Sequence, residues 1–394
     1  MRTNDLFLTA AAASMMMLAA CTHDDGTASI SEPTPVGNEL IISTRHSEMG
    51  ITRAESNIQE SQFADDEEIH VFLRDADEPT EGTVYNGGEP LIYKKTTGAS
   101  GSNRIIKTYS SGTTENRLFW PKLMHSLDIF GVYPKNTVTT STKVGDTFAP
   151  FDKTKEYNFT VAVNQDDSLS YKNSDLMTGL PTNYNSVHAG SYDASDAAND
   201  APFKLKQNEN PGTIPLTFTH RLTKIIINVT KTTDTQDTDI PLDDIKYTGT
   251  DDTKYALVTL TNVLRKTKFK VNSNDGVLKT DATEESPNNI VVGKGQREIT
   301  ITGGYRAVSL AAIVPPQTIT KGTNLIKVDL KDGETTTDEF IYKIPGGISD
   351  QDLELEPATV YTYNIRINKP HIDVSISIAP WLIGAENQVV GELQ

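Results

Sequence analysis

Apolar residues at every second position are the sequence feature that most constrains the fold of this chain. Four stretches show the pattern: YNFTVAV (157–163), EFIYKI (339–344), VYTYNIRIN (360–368) and PHIDVSISIAPW (370–381). Successive side chains of a strand point to opposite faces, so a period of two residues predicts half-buried β-strands. Clusters of Gly, Asn, Asp and Pro, such as YNGGEP and DLKDGETTT, separate the runs, and helical spacing is scarce. We therefore predict an all-β fold of antiparallel sandwiches.

The length of the chain and its polar segments predict two domains. After a targeting segment and a linker, about 350 residues remain, which at roughly 150 residues per domain fits two. The polar segments 183–200 and 206–212 interrupt the strand pattern, and alternation resumes at Ile214. We therefore predict an N-terminal sandwich domain over residues 38–210 and a C-terminal one over residues 211–394.

The first residues of the chain have the pattern of an export signal. Residues 6–20 form an uncharged apolar run that is short for a membrane-spanning helix, and the next residue is Cys21, the single cysteine of the chain. One cysteine cannot form an intramolecular disulfide, and the junction LAAC resembles the site at which bacterial lipoproteins are cleaved and acylated. We predict a signal peptide over residues 1–20, lipid on Cys21, and a flexible tether over residues 21–37. The alternative is an ordinary signal peptide with an incidental cysteine.

Charge and motif content argue against nucleic-acid binding, metal binding and catalysis. The formal net charge is −17, so a phosphate backbone is not an expected partner. The seven histidines include no HxxxH or HxH pair, and the acidic stretch DASDAAND lacks the spacing of a calcium loop. The sequence contains neither a nucleophile elbow nor a phosphate-binding glycine loop. We therefore expect no enzyme activity, no metal and no cofactor.

Several stretches, in their order along the chain, resemble the fimbrillin family, the pilin subunits of Bacteroidetes type V pili. They are LAAC (18–21), ITRA (51–54), EIHVF (68–72), DLMTG (175–179), PLTFTHRLTKIIINV (215–229), IVPPQTI (313–319) and YTYNIRINKPHIDVSISIAPW (361–381). The resemblance implies two tandem transthyretin-like β-sandwich domains and a structural subunit of a cell-surface pilus with a role in adhesion. It also implies a lipoprotein of the outer membrane. Asp24 and Asp25 resemble the acidic signal that sends Bacteroidetes lipoproteins to the cell surface.

The family resemblance also implies that a protease cuts after an arginine near the mature N-terminus and that the first strand leaves with the lipid. The loop TRHSEMGITRAESN (44–57) follows the apolar strand ELIIS (39–43) and carries two arginines among small and polar residues. Such a loop can enter a protease cleft because little of its backbone is needed for sheet pairing. We predict processing by an arginine-specific protease at Arg53 first and Arg45 second. The alternative is that both are ordinary surface arginines.

The alternating stretch near the C-terminus is the candidate donor strand. In the family, the groove vacated by the first strand accepts a strand from the next subunit, a form of strand addition. Residues 370–394 contain four apolar residues at every second position, Ile372, Val374, Ile376 and Ile378. We predict that this strand fills the groove of a neighbouring subunit. The alternative is that it forms the last strand of its own domain.

A second function stays open at this point, that of a monomeric surface lipoprotein that binds glycans in a polysaccharide-utilisation system. Such a site needs exposed aromatic platforms, and the only tryptophans are Trp120 and Trp381, each beside a proline and near apolar strand sequence. We expect both tryptophans to lie in the core. His220, within the strand sequence FTHRLTK, is likewise expected to be a packed or hydrogen-bonded core residue.

Overall fold

Strands joined by turns make up nearly all of the described structure, with one short helix among them. The computed structural model describes residues 40–46, 68–75, 91–95, 104–109, 115–116, 120, 127–134, 143–144, 147–148, 157–181, 213–231, 245–249, 253–269, 277–278, 286–301, 306–345, 351–368 and 371–380. All of them belong to the unit that spans residues 35–394. Within these ranges, no helix is long and apolar enough to cross a membrane. The prediction of an all-β fold is confirmed.

In chain order, the elements are β1 (Ile41–His46), β2 (Glu68–Asp75), β3 (Leu91–Lys95), β4 (Arg104–Tyr109), β5 (Glu115–Asn116), β6 (Leu127–Tyr133), β7 (Lys143–Val144), β8 (Thr147–Phe148), β9 (Tyr157–Thr160), α1 (Ser168–Asn173), β10 (Met177–Pro181), β11 (Thr213–His220), β12 (Thr223–Lys231), β13 (Lys254–Val263), β14 (Lys266–Phe269), β15 (Val277–Leu278), β16 (Asn288–Lys294), β17 (Arg297–Thr300), β18 (Arg306–Val314), β19 (Gln317–Ile319), β20 (Asn324–Asp332), β21 (Thr335–Lys343), β22 (Leu353–Leu355), β23 (Thr359–Asn368) and β24 (His371–Pro380).

The largest sheet unites the N-terminal strands with β10 and β11. Its order is β1-β11-β10-β6-β2-β3-β4-β5, and a further pairing joins β1 to β4. One row across it explains two glycines: Gly131, Gly179 and Phe218 lie side by side in register on β6, β10 and β11. A Cβ atom on either glycine would lie 2.6 Å from the Phe218 ring. The ring therefore takes the space that side chains on these strands would fill.

Two further sheets face one hydrophobic core in the C-terminal part. Their orders are β17-β18-β12-β23-β24 and β16-β13-β20-β21. Alternate residues of both sheets form the core, for example Ile227 on β12, Tyr363 on β23, Val258 on β13 and Ile326 on β20, each fully buried. Most neighbouring strands are antiparallel, as predicted, but β12–β23 and β1–β11 are parallel. Smaller sheets are formed by β15-β14-β9, β19-β22 and β7-β8.

Two buried glutamines bond to backbone in the way a neighbouring strand would. The side-chain amide of Gln165 donates to the Ile313 carbonyl at 2.8 Å, and its oxygen accepts from the Ile313 N–H at 2.9 Å. The side-chain amide of Gln317 likewise donates to the Leu264 carbonyl at 3.1 Å, and its oxygen accepts from the Leu264 N–H at 2.8 Å. Gln317 belongs to the IVPPQTI stretch of the family resemblance. Each side chain satisfies backbone groups that would otherwise be buried without partners.

The change of sheet does not coincide with the predicted domain boundary at residue 210. β11 pairs in the first sheet and β12 in the five-stranded sheet, so the sheet changes between His220 and Thr223. In the opposite sense, β9 pairs with β14 of the C-terminal part, and Phe159 and Tyr171 belong to the C-terminal core. The polar composition indicates where the strand pattern is interrupted. It does not indicate which strands pair, because pairing depends on register with strands that are distant in sequence. The division into two tandem domains stays a prediction.

Buried polar contacts stabilise the connection between β11 of the largest sheet and β12 of the five-stranded sheet. His220 Nδ1 lies 2.8 Å from Asp175 Oδ1, and both residues are almost fully buried. Arg221 Nε donates to Thr178 Oγ1 at 2.5 Å, and the Arg221 N–H donates to the Leu176 carbonyl at 2.9 Å. The stretches DLMTG and FTHRLTK therefore contact each other directly. The expectation that His220 is a hydrogen-bonded core residue is confirmed.

Candidate assembly site

The last described strand, β24, lies at the edge of the five-stranded sheet. All ten of its residues pair with β23 in an antiparallel ladder, from His371 opposite Asn368 to Pro380 opposite Thr359. Among the described residues, β24 has a strand on one side only. In this single chain, the candidate donor strand is thus the last strand of its own sheet. Its donation to another subunit stays a prediction.

The four apolar residues of β24 share one face but are unequally buried. Ile372, Val374 and Ile376 are partly buried and pack against the C-terminal core. Ile378 is 52% exposed. The other face carries Asp373 and Ser375, both exposed, and the partly buried Ser377. The strand is therefore held by hydrogen bonds to one neighbour and by incomplete apolar burial, which is weaker than the anchoring of a central strand.

The edge strands β21 and β24 differ in the number of charged residues that would oppose pairing with another chain. β21, at the edge of the four-stranded sheet, carries Asp338, Glu339 and Lys343. β24 carries one formally charged residue, Asp373, in ten positions. Charged side chains on an edge strand oppose pairing with another chain, and a long uncharged edge favours it. Of these two edge strands, β24 has fewer formal charges to oppose pairing with another chain.

The first described strand, β1, occupies an interior position in the first sheet. It pairs in parallel with β11 over six residues, from Ile41–Thr213 to His46–Phe218. On its other side it pairs with β4 over three residues. Leu40 and Ile42 are 4% and 0% exposed. β1 therefore lies between two strands, and Ile42 on it and Leu40 just before it are part of the buried core.

The predicted processing residues are placed as follows. Arg45 lies inside β1, where its backbone pairs with Thr217. Residues 44–46 of the predicted loop 44–57 therefore belong to the strand, which corrects that part of the prediction, and residues 47–57 lie outside the described residues. A protease binds its substrate in extended form, so β1 would have to leave the sheet before Arg45 could be cut. Arg53 and Cys21 lie outside the described residues.

Features expected of a glycan or metal site are scarce in the described part of the chain. Trp120 is 7% exposed, which confirms that it is no surface platform, and Trp381 lies outside the described residues. A cleft of about 180 Å³ is lined by charged and polar groups, including Asp166, Lys294 and Arg297, with the buried Tyr171 as its aromatic residue. Among the described side chains, no group of three or more His, Cys, Asp or Glu is placed to hold a metal ion.

The sequence did not indicate the importance of one residue on the strand next to the candidate strand. Tyr363 lies on β23 opposite Ile376 and is fully buried. Its alternation with Tyr361 predicted an inward side chain, but nothing in the sequence indicates which hydrogen bonds the two tyrosine hydroxyl groups form. Those hydrogen bonds depend on the segments that pack around the two rings.

A family model described as fimbrillin-like matches residues 52–381. The chain belongs to the fimbrillin-like family. The match begins ahead of β2 and ends just after β24, and β1 precedes it. Fimbrillin-like proteins are structural subunits of fimbriae, which are assembled from several subunits at the cell surface. The family resemblance seen in the sequence is thereby confirmed.

Solved structures also resemble this fimbrillin-like protein. A candidate cell adhesion protein from Bacteroides uniformis is 14% identical, with a TM-score of 0.52 over 88% of this chain and 99% of its own. Another, from Bacteroides ovatus, is 14% identical, with a TM-score of 0.52 over 87% and 96%. The tip fimbrial protein Mfa3 from Porphyromonas gingivalis, with C-terminal truncation, is 12% identical, with a TM-score of 0.39 over 87% and 99%. No curated protein matches. At such identities the first two likenesses concern the fold.

Proposed function

We propose that this fimbrillin-like protein is a fimbrial subunit that polymerises by strand exchange and serves in adhesion. In this scheme an arginine-specific protease removes β1, and β24 of another subunit, with the residues that follow it, enters the vacated groove. The observation that carries the proposal is the contrast between the two strands. Among the described residues, β24 pairs with a strand on one side only, whereas β1 pairs on both sides.

The position of β1 offers a strand pairing on both sides. β1 pairs with β11 over six residues and with β4 over three, whereas β24 pairs with β23 over ten, so the number of paired residues changes little on exchange. The driving force therefore has to come from apolar burial. Four side chains at about 1.5–3 kcal/mol each set an upper limit of about 6–12 kcal/mol before ordering costs. Three of them are already partly buried in the monomer, so the gain on exchange is only the remainder.

Charge opposes association but does not prevent it. The uncut chain carries a formal net charge of −17, and removal of residues 1–53, which contain six acidic and three basic residues, leaves −14. Repulsion between exposed charges is screened beyond about 8 Å at physiological salt, whereas strand pairing acts in direct contact. Assembly should therefore tolerate the acidic surface and become easier as salt concentration rises.

Export as an outer-membrane lipoprotein is the second part of the proposal. The LAAC junction supports acylation of Cys21, and several acyl chains on one cysteine anchor a protein stably. In Cys21→Ser the mature chain should be soluble and unlabelled by palmitate. Continued labelling and continued partition with outer membranes would show that Cys21 is not the anchor.

The processing step is tested on the soluble Cys21→Ser chain treated with an arginine-specific protease. We expect oligomers that resist detergent, built from chains that begin at Ala54. Arg53→Ala should abolish them, and Arg45→Ala, the matched control, should leave them intact because Arg45 lies in a paired strand. Oligomers built from uncut chains would contradict the processing step.

The donor role is tested with two substitutions at adjacent positions on opposite faces of β24. Ile376→Asp places a charge on the core face and should abolish oligomers, whereas Ser375→Asp, on the exposed face, should leave them. If Ile376→Asp assembles as well as Ser375→Asp, β24 is not the donor strand.

A further inference from the structure

The core face of β23, the strand next to β24, carries two tyrosines that are both almost fully buried. Tyr361 and Tyr363 are 2% and 0% exposed. In register, Tyr361 lies opposite Ile378 and Tyr363 lies opposite Ile376. The ring of Tyr363 also meets that of Tyr342 on β21, with 5.6 Å between centroids in an edge-to-face arrangement. Both tyrosines therefore lie next to the core-facing side chains of β24, which is called seated here when it is paired with β23.

Only one of the two tyrosine hydroxyl groups forms hydrogen bonds within the described structure. Tyr361 Oη donates to the Glu354 carbonyl at 2.7 Å and accepts from the Glu356 N–H at 3.1 Å. Tyr363 Oη is buried, and no protein group of the described structure forms a hydrogen bond with it. Burial raises the pKa of Tyr363 above its usual range, so the hydroxyl stays protonated and keeps its need for a partner. A buried hydroxyl without a partner destabilises the state that buries it.

The position of Tyr363 determines which state is destabilised. With β24 in place, Tyr363 lies between Ile227 of β12 and Ile376 of β24. When β24 leaves, β23 becomes the edge strand of the sheet, and water gains access to the ring from the side that Ile376 had covered. The released state therefore hydrates the hydroxyl, and the seated state does not. The penalty falls on seated β24.

We propose that the unpartnered hydroxyl of Tyr363 weakens the seating of β24 and so holds the strand ready to leave. The biological role of this weakening rests on the proposed function, since a weakly held strand is useful to a subunit that donates it. It stands on its own as a statement about β24 in the single chain. Replacing the hydroxyl with hydrogen should favour the seated strand by about tenfold in equilibrium constant, as expected for one buried unsatisfied group.

Hydrogen exchange of the β24 amides in the uncut Cys21→Ser chain tests the seating directly. In Tyr363→Phe these amides should exchange about tenfold more slowly, because local opening becomes rarer. Tyr361→Phe is the matched control: the same atom is removed from the same strand and face, but two hydrogen bonds are lost, so exchange should quicken. Unchanged or faster exchange in Tyr363→Phe overturns the proposal. Melting curves of both variants confirm that each is folded.

A second measurement separates this proposal from the proposed function. After protease treatment, Tyr363→Phe should form oligomers about tenfold more slowly than the parent chain, provided that β24 is donated. Slower exchange together with an unchanged assembly rate supports the weak seating and counts against donation of β24. Unchanged exchange with normal assembly overturns the role of Tyr363 and leaves strand donation standing.

Discussion

Ile42→Ala tests whether β1 belongs to the precursor alone. Ile42 lies on β1 and is fully buried, with its backbone paired to Ile214 on one side and Ile106 on the other. Truncation of a buried isoleucine to alanine costs about 2–5 kcal/mol, because the transfer free energy of the lost atoms is joined by the energy of the cavity. The full burial of Ile42 and the ladders on both sides restrict collapse of the cavity, so the upper half of that range is expected.

Thermal denaturation, followed by circular dichroism, converts this free energy into a shift of melting temperature. For a cooperative unit of 150–250 residues, each kcal/mol corresponds to about 2–4 °C, so a loss of about 3.5–5 kcal/mol should make the uncut Ile42→Ala chain melt about 7–20 °C below its parent. After processing and assembly, β1 is absent from the oligomer. Parent and variant oligomers should then melt alike.

Ile69→Ala is the matched control, since Ile69 lies on β2 of the same sheet, is 1% exposed, and follows the predicted cleavage site. It should destabilise both the uncut chain and the oligomer. The reasoning is refuted if Ile42→Ala lowers the melting temperature of the oligomer as much as that of the precursor. That result would mean that β1 stays in its sheet after cleavage.

Three further predictions concern stability. Gly179→Ala should cost about 1–3 kcal/mol in chemical denaturation, because its Cβ would lie 2.6 Å from the Phe218 ring; an unchanged midpoint would show that the ring moves aside freely. Gln317→Leu should cost at least about 1–3 kcal/mol, because it leaves both backbone groups of Leu264 buried without their partner; a neutral result would mean that the strand shifts to satisfy them. The salt bridges of Glu298 to one arginine and one lysine lower its pKa to about 2, so its stabilising effect is full above its ordinary pKa of 4.5 and fades as pH falls towards 2. Glu298→Gln should lose that part of the acid dependence, and an unaltered stability–pH curve would contradict it.

The sequence predicted the strands well because period-two alternation is a local property. VYTYNIRIN and PHIDVSISIAPW became β23 and β24, with the apolar rows on the core side as expected. His220 and Trp120 were correctly expected in the core. YNFTVAV was less accurate, since the strand ends at Thr160 and Val163 is 52% exposed. In that stretch the backbone turns towards Gln165, whose amide bonds to Ile313, 148 residues away.

Tertiary structure decided the partners of the strands, which alternation does not encode. A row of apolar side chains specifies which face is buried, but any strand with a matching face can lie beside it. Thus β11 joined β1 and β10 across the predicted boundary, β1 extended through Arg45, and β24 took its place beside β23. The contrast between Tyr361 and Tyr363 arose in the same way. Identical side chains on one face received different partners because the segment 354–356 reaches one hydroxyl and no described segment reaches the other.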